Sequence, residues 1–348
     1  MYPEDPTGSA LDLVDRAQGD PAETRRLAAA MLDTALPAEA HVVAEWALGI
    51  AERETGNLED AQHHLESAIA RADAAGYTQR VAQVRDSLAF TLALLGDNQA
   101  ALRQADLAEP HLSGAALARL QMQKGLVLQR LGRGDEAMAA YELALPGIQA
   151  AGDNVAEVRL RVNRSVLSIY RSAIDQAIAD LETAEALASE MGNTFQVGAC
   201  AHNLGFARGR AGDIPGALEA YAVAADAYAV AGVEAGLAAV LEADRADLLL
   251  AAGLTEEAFA AATHGVELLA DTGNAADLAE VQLLAARAAL ADGRVGQATN
   301  LAAGAGASFV AQGRHGWHAL ASYVALQARF APLEGSPSAP RADHEATA

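Results

Sequence analysis

Three glycines in the middle of the chain have a spacing that could hold a phosphate. Residues 202–221 read HNLGFARGRAGDIPGALEAY and place Gly205, Gly209 and Gly212 in a G-x-x-x-G-x-x-G pattern. Glycine-rich loops bind phosphates through backbone N–H groups, and a P-loop also needs a lysine directly after its glycines. The only lysine of the chain is Lys124, and no strand pattern precedes the glycines. The spacing therefore indicates helix packing at Gly205 and a helix end at Gly212, and Gly209 is predicted to be incidental.

A nucleophile held by a base is the next chemistry to consider. Cys200, the only cysteine, lies two residues before His202. On a helix these side chains project about 200° apart, so they cannot form a dyad with each other. We therefore interpret Cys200 as a small buried residue of a packed helix.

Metal chemistry needs three or four ligands that converge on one point. His63 and His64 are adjacent and diverge around a helix, while His315 and His318 share a face but have no evident third ligand. The sequence therefore predicts no metal site and no cofactor, and it predicts that the chain is not an enzyme.

A repeat of about 40 residues explains the glycines. Each repeat has a residue that ends a helix, an alanine five positions later and another small residue seven positions earlier. The helix-ending residues are Gly56, Gly96, Gly132, Ser172, Gly212, Gly253 and Gly293. The alanines are Ala61, Ala101, Ala137, Ala177, Ala217, Ala258 and Ala298, and the earlier small residues are Gly49, Ala89, Gly125, Ser165, Gly205, Ala246 and Ala286.

Each repeat reads as two helices that approach closely where a small residue faces its partner. In the representative pair, predicted over 194–211 and 214–231, Asp213 and Pro215 suit the start of the second helix. Because a single pair cannot bury its apolar face, successive pairs must stack. The sequence therefore predicts an all-α fold, an α-α superhelix or solenoid of about seven to eight antiparallel helix pairs.

The predicted domain boundaries follow the same repeat. Residues 1–35 form a capping pair with helices near 8–18 and 21–35, and residues 36–314 form seven pairs. A capping helix spans 315–330, and the Pro- and Ser-rich residues 331–348 are predicted to be a disordered tail.

The pattern of small residues resembles the tetratricopeptide repeat (TPR). The residues that carry the resemblance are Leu48-Gly49, Leu204-Gly205, Ala217 and Tyr221. The likeness covers about residues 8–330, and the period of about 40 is similar to that of longer-helix variants of the family.

Particular phrases also resemble the repeat region of actinobacterial CHAT-domain proteins. They are RVNRSVLSIYRSAIDQAIADLETAEAL (161–187), the stretch 202–221, and FVAQGRHGWHALASYVALQAR (309–329). In that family a caspase-like peptidase domain with a His/Cys dyad follows the repeats. That catalytic pair has no counterpart in these residues.

One stripe of polar and basic residues recurs on the first helix of successive pairs. Positions i, i+4, i+7 and i+11 share one helix face, and they hold Arg119, Gln123, Leu126 and Arg130; then Arg159, Asn163, Val166 and Tyr170; then Ala199, Asn203, Phe206 and Arg210. The TPR resemblance implies that this stripe lines a concave groove that holds an extended peptide. An Asn amide can both donate to and accept from a peptide backbone, and Arg binds a carboxylate with two hydrogen bonds.

The predicted peptide-binding residues are Arg119, Gln123, Arg159, Asn163, Tyr170, Asn203, Phe206 and Arg210. The match is partial, because Val240 and Asp244 occupy the stripe of the following pair. The alternative is a solvated face whose arginines pair with neighbouring acids such as Glu157.

The charge of the chain restricts its partners. With 46 acidic and 24 basic residues, its formal charge is −22. Nucleic acids and anionic membranes need a basic surface, so neither is expected as a partner. The N-terminal MYPEDPTGSALDLV shows no signal-peptide pattern, and no stretch is apolar enough to cross a membrane, so a cytoplasmic protein is expected.

Three functions remain open. The first is a scaffold or adaptor that binds a peptide or protein segment in the groove. The second is the regulatory half of a split CHAT-type peptidase system. The third is a peptide-sensing signalling or transcriptional regulator, although the acidic residues 1–35 suit a DNA-binding head poorly.

Overall fold

Residues 5–331 of the protein are described by a computed structural model. Within this range the regular structure is helical and no strand occurs. The helices are α1 (Pro6–Arg16), α2 (Pro21–Leu32), α3 (Ala38–Glu54), α4 (Leu58–Ala74), α5 (Thr78–Leu94), α6 (Asn98–Ala108), α7 (Gly114–Arg130), α8 (Gly134–Ala150), α9 (Asn154–Tyr170), α10 (Ile174–Glu190), α11 (Thr194–Ala211), α12 (Ile214–Ala231), α13 (Ala235–Ala251), α14 (Thr255–Leu269), α15 (Ala275–Ala291), α16 (Val295–Ala311) and α17 (His315–Phe330), with a 3₁₀ turn at Glu109–His111.

The described helices form two compact units, which divide between Tyr170 and Arg171. In the first unit, α3 packs on α4, α5 on α6 and α7 on α8; in the second, α11 packs on α12, α13 on α14 and α15 on α16. The predicted fold class, an all-α arrangement of consecutive TPR-like helix pairs, is confirmed.

The turns are where the glycine pattern places them. Gly212 and Gly232 end α11 and α12 with φ of 84° and 63°, in the left-handed region that glycine adopts without steric cost. Asp213 caps α12, since its carboxylate accepts a hydrogen bond from the backbone N–H of Gly216 at 3.0 Å. Pro215 lies in the first turn of the same helix. The predicted ends of this pair are confirmed.

Ser172 occupies a turn that glycine fills in the other repeats, and its φ is 61°. A side chain in this region costs about 1 kcal/mol. Ser172→Gly is therefore expected to raise the free energy of unfolding by about 0.5 kcal/mol, after the greater freedom of glycine in the unfolded chain is deducted. The reverse change at the equivalent turn, Gly132→Ser, is expected to lower it by about 0.5 kcal/mol, because the same two contributions act with opposite sign. Urea denaturation followed by circular dichroism checks both, and equal stability of all three proteins would contradict the turn assignment.

Small residues allow an aromatic ring of the partner helix to pack against the backbone. A Cβ atom at Gly205 would lie 2.6 Å from Cδ1 and Cε1 of Tyr221, and a Cβ atom at Gly125 would lie 2.4 Å from Cε1 of Tyr141. Both tyrosine side chains are buried. The predicted packing role of Gly205 is confirmed.

Gly209 also packs, so the prediction that it is incidental is wrong. A Cβ atom there would lie 2.9 Å from Cδ1 of Leu248 on α13. The contact joins α11 to the first helix of the next pair, and the spacing within one pair cannot reveal it.

The ends of the chain fit the predictions in part. Helix α2 ends at Leu32 rather than near residue 35. Thr34, two residues after this end, donates its hydroxyl to the carbonyl of Met31 in the last turn of the helix. The assignment of α1, α2 and α17 as caps stays a prediction about their role. Except for residue 331, the predicted tail 331–348 lies outside the described residues. None of the described helices is long and apolar enough to span a bilayer.

Candidate functional site

The predicted stripe of the first unit lies on α7 and α9. Arg119 and Arg159 are exposed, and Tyr170 is 84% exposed. Arg119 forms an ion pair with Asp153, which precedes α9, at 3.4 Å between Nε and Oδ2. Arg159 has no ion pair within residues 5–331. Its guanidinium is therefore available to a carboxylate of a partner.

Several polar side-chain atoms of this unit are buried without a hydrogen-bond partner among the described residues, and two of them belong to Asp86 and to the stripe residue Gln123. The Oδ1 atom of Asp86, on α5, and the Oε1 atom of Gln123 have no hydrogen-bond partner in the described part of the chain. Burial raises the pKa of the Asp86 carboxyl to about 7, although the positive charges of Arg53 and Arg119 act in the opposite direction. Because both atoms are buried, neither is exposed to a bound segment.

The alternative interpretation of the stripe is realised only in part. Glu157 is buried and accepts from Arg161 at 2.7 Å, so its partner is an arginine outside the stripe. Asn163 is half-buried on the same helix. Of the stripe arginines in this unit, Arg119 is neutralised by an acid, whereas Arg159 is not.

The remaining three predicted residues lie on α11, in the second unit. Asn203 donates a hydrogen bond from Nδ2 to the backbone carbonyl of Ala199 at 2.8 Å, and both residues lie on α11. Phe206 is 42% exposed, and Arg210 is exposed with no ion pair among residues 5–331. The eight predicted residues are therefore divided between the units, with five on α7 and α9 and three on α11.

His202 does not pair with Cys200. Its Nε2 lies 3.0 Å from Oδ2 of Asp244 on α13, and its ring packs edge-on against Tyr221 and Tyr228. Burial raises the pKa of the Cys200 thiol to about 12, so this thiol stays protonated at neutral pH. His202 thus ties α11 to α13, and Cys200 is a buried packing residue.

Histidines do not converge with acids on a metal site in the described region. His318 lies with its Nδ1 3.2 Å from the carbonyl oxygen of Gly306, and no group of three or more His, Cys, Asp or Glu within residues 5–331 is arranged to hold an ion.

The second unit has a pocket of about 790 Å³ on α13, α15 and α17, bounded also by Leu269 at the end of α14. We call it the α13–α15–α17 pocket. Its lining residues are Val240, Ala243, Asp244, Asp247, Leu269, Asp277, Glu280, Val281, Leu283, Leu284, Arg287, Trp317, Leu320, Tyr323, Val324 and Gln327. This volume is within the range of pockets that hold ligands or side chains of a partner.

The stripe continues into this pocket, which the sequence analysis missed. Val240, Asp244 and Asp247 on α13 follow Ala199, Asn203 and Phe206 at a spacing of 41 residues. The equivalent positions on α15 and α17, at further steps of 40, are Glu280, Leu284, Arg287, Leu320, Val324 and Gln327, and all of them line the pocket. The repeat spacing was the signal that could have found it.

Apolar side chains form much of the pocket. Leu269, Val281 and Leu283 are buried beneath it, whereas Trp317, Leu320 and Tyr323 of α17 remain 39%, 53% and 59% exposed. Clustered exposed apolar groups beside a pocket are typical of an interaction surface.

Carboxylates flank the apolar surface, and only two of the four have a guanidinium partner. Asp247 pairs with Arg287 at 3.4 Å. Glu280 pairs with Arg314, which does not line the pocket.

The other two carboxylates contact groups other than guanidinium. Asp244 contacts the His202 imidazole. Asp277 accepts from the Asn274 side-chain amide at 2.6 Å.

No family model matches the sequence, and no curated protein matches it. Solved structures do. A Rap protein complexed with competence and sporulation factor has a TM-score of 0.58 at 12% identity, over 93% of this chain and 96% of that one. The apo quorum sensor NprR from B. thuringiensis has a TM-score of 0.62 at 12% identity, over 93% and 86%.

A tetratricopeptide repeat protein from Parabacteroides merdae has a TM-score of 0.50 at 16% identity, over 81% of this chain and 97% of that one. At these identities the likeness shows the fold alone. The chain therefore has the fold of TPR-like helical repeat proteins.

Proposed function

We propose that this chain is a protein-interaction module that binds a peptide or an extended protein segment on the first helices of its pairs. The observation that carries the proposal is the α13–α15–α17 pocket, because it combines a volume of about 790 Å³ with exposed apolar side chains in the stripe register. Burying each large apolar side chain contributes roughly 1.5–3 kcal/mol. Covering this surface with apolar groups of a partner therefore contributes favourably to the free energy of binding.

The similar structures support this proposal. One is a Rap protein in complex with competence and sporulation factor, and another is the quorum sensor NprR. Carried over to this chain, they favour a module that senses a signal. A peptide-sensing regulator is therefore our second candidate function, and it uses the same surface.

The eight residues predicted from the sequence belong to the proposal as well. Arg159 and Arg210 are exposed cations, and neither has an ion pair within residues 5–331. The variant Arg119→Ala/Arg159→Ala/Asn163→Ala/Asn203→Ala tests their share of the affinity, once circular dichroism has shown that it folds.

A separately encoded CHAT-type peptidase domain is the narrower partner that the sequence resemblance suggests. Its support is the likeness of residues 161–187, 202–221 and 309–329, and the comparisons add none. Binding of a purified CHAT-type domain to this chain, measured by calorimetry, would establish it, and absence of heat at high concentration would remove it.

The experiment for the proposed function is selection of ligands from a displayed library of random peptides, with the full chain as bait. The peptide that binds most tightly is synthesised, and its Kd for the full chain is measured by fluorescence polarisation. Leu320→Asn is expected to weaken binding at least about tenfold, because one large apolar contact is worth more than 1.4 kcal/mol.

The control is Leu107→Asn on α6. Leu107 is 54% exposed, against 53% for Leu320, and it does not line the pocket. Its Kd should equal that of the wild type. The proposal fails if the library yields no binder, or if the two variants bind alike.

A further inference from the structure

We propose that the α13–α15–α17 pocket selects a segment in which a basic side chain adjoins a bulky apolar one. This inference rests on the proposed function, because it specifies the chemistry of the segment that the module binds. Two properties of the pocket lead to it: an apolar surface with exposed groups, and an excess of carboxylates on one side of that surface.

The apolar half of the pocket is provided mainly by α17. Trp317, Leu320 and Tyr323 lie at i, i+3 and i+6, so they follow one another along one side of the helix and remain exposed. Aromatic and branched side chains of a partner can pack between them. A ligand that carries only charged groups would leave these apolar side chains exposed to solvent.

The acidic half is provided by α13 and α15. Asp244 and Asp247 are three residues apart, as are Asp277 and Glu280, so each pair shares a helix face. The lining has four carboxylates and one guanidinium, Arg287, which is a formal excess of three negative charges. The ion pair of Glu280 with Arg314 reduces the excess to two.

Asp244 and Asp277 are the carboxylates that have no guanidinium partner. Both carboxylates favour a cationic group on the ligand. A carboxylate at the edge of an apolar surface interacts more strongly with an opposite charge than a carboxylate in open water does. The ligand that satisfies both halves has Lys or Arg next to an aromatic or branched aliphatic residue.

Charge argues against two other occupants. A second copy of the chain would bring a formal charge of −22 to an acidic pocket. Residues 332–348 of the same chain contain three acidic residues and one arginine, so they lack the required sign. A basic, apolar segment of another protein fits both halves.

The test uses the peptides selected from the random library. We expect Lys or Arg to be enriched within two positions of an aromatic or branched aliphatic residue. For the strongest peptide, Asp244→Asn/Asp277→Asn should raise Kd about fivefold. The control Asp60→Asn/Asp73→Asn changes the net charge equally at exposed sites on α4 and should leave Kd within twofold.

A second measurement compares the salt dependence of the wild type and the same variant. Raising the salt concentration from about 50 to about 500 mM should weaken peptide binding to the wild type more than to Asp244→Asn/Asp277→Asn, because the variant has lost the screened contacts. Equal salt dependence of the two proteins would contradict the inference.

The outcomes separate this inference from the proposed function. If the selected peptides lack basic residues but their binding is abolished by Leu320→Asn, the inference is overturned and the proposed function stands. Spermine binding as tightly as the peptide would show that charge alone suffices, which also overturns it. Dimerisation of the wild type that Leu320→Asn abolishes would assign the pocket to a second copy instead.

Discussion

Gly205→Leu is expected to lower the free energy of unfolding by about 3 kcal/mol. Even a Cβ atom at this position would lie 2.6 Å from the ring of Tyr221, which is buried between α11 and its neighbours. The ring cannot move aside without displacing other core residues, and overpacking of this kind typically costs 1–3 kcal/mol or more. Urea denaturation followed by circular dichroism measures the loss.

Gly236→Leu is the matched control. Gly236 lies in the first turn of α13, and a Cβ atom there meets nothing within 4 Å. The same substitution should change stability by less than about 0.5 kcal/mol. Equal losses at both positions would show that the loss at Gly205 does not come from the contact with Tyr221, and the packing explanation would be wrong.

Asp86→Asn is expected to stabilise the protein at neutral pH. Burial raises the pKa of the Asp86 carboxyl from 3.8 to about 7. Because the folded state holds this proton more tightly than the unfolded state, the group favours folding below about pH 4. That contribution is lost as the pH rises through 7.

The size of the effect follows from the same pKa. One pKa unit corresponds to about 1.4 kcal/mol, so the advantage of Asp86→Asn over the wild type should grow by up to roughly 4 kcal/mol between pH 4 and 7. Above about pH 8, where the carboxyl is ionised in both states, the difference should be constant. Denaturation at a series of pH values checks this, with the exposed Asp73→Asn as the control that should follow the wild type. A constant difference from pH 4 to 8 would show that Asp86 is not held protonated by burial.

The helices were predictable because two kinds of small residue fix them. A helix that must end in the left-handed region needs glycine, so Gly212 and Gly232 marked the ends of α11 and α12 in the sequence. A helix backbone that meets a ring needs a residue without a side chain, so Gly205 marked the contact with Tyr221. The residue that ends a helix and the small residue at a helix contact are each set by their immediate surroundings, and both positions recur along the repeat.

The pocket was not predicted because its properties are not local. Val240 and Asp244 appeared in the sequence only as departures from a basic stripe. Their meaning depends on residues far along the chain, since Asp244 contacts His202, which is 42 residues away, and Leu320 completes the same pocket from α17. The repeat spacing predicts which residues share a register, but the space left between their side chains depends on the packed structure.

The most direct test of the binding surface uses its own tryptophan. The chain has two tryptophans, and Trp46 is buried in the first unit, where its Nε1 donates to Ser87 at 2.8 Å. In a Trp46→Phe variant the emission therefore reports on Trp317 in the α13–α15–α17 pocket.

Titration with the selected peptide, in a form without tryptophan, should shift this emission to shorter wavelength and saturate at the Kd found by polarisation. Unchanged emission at saturating peptide would contradict our account of where the module binds its partner.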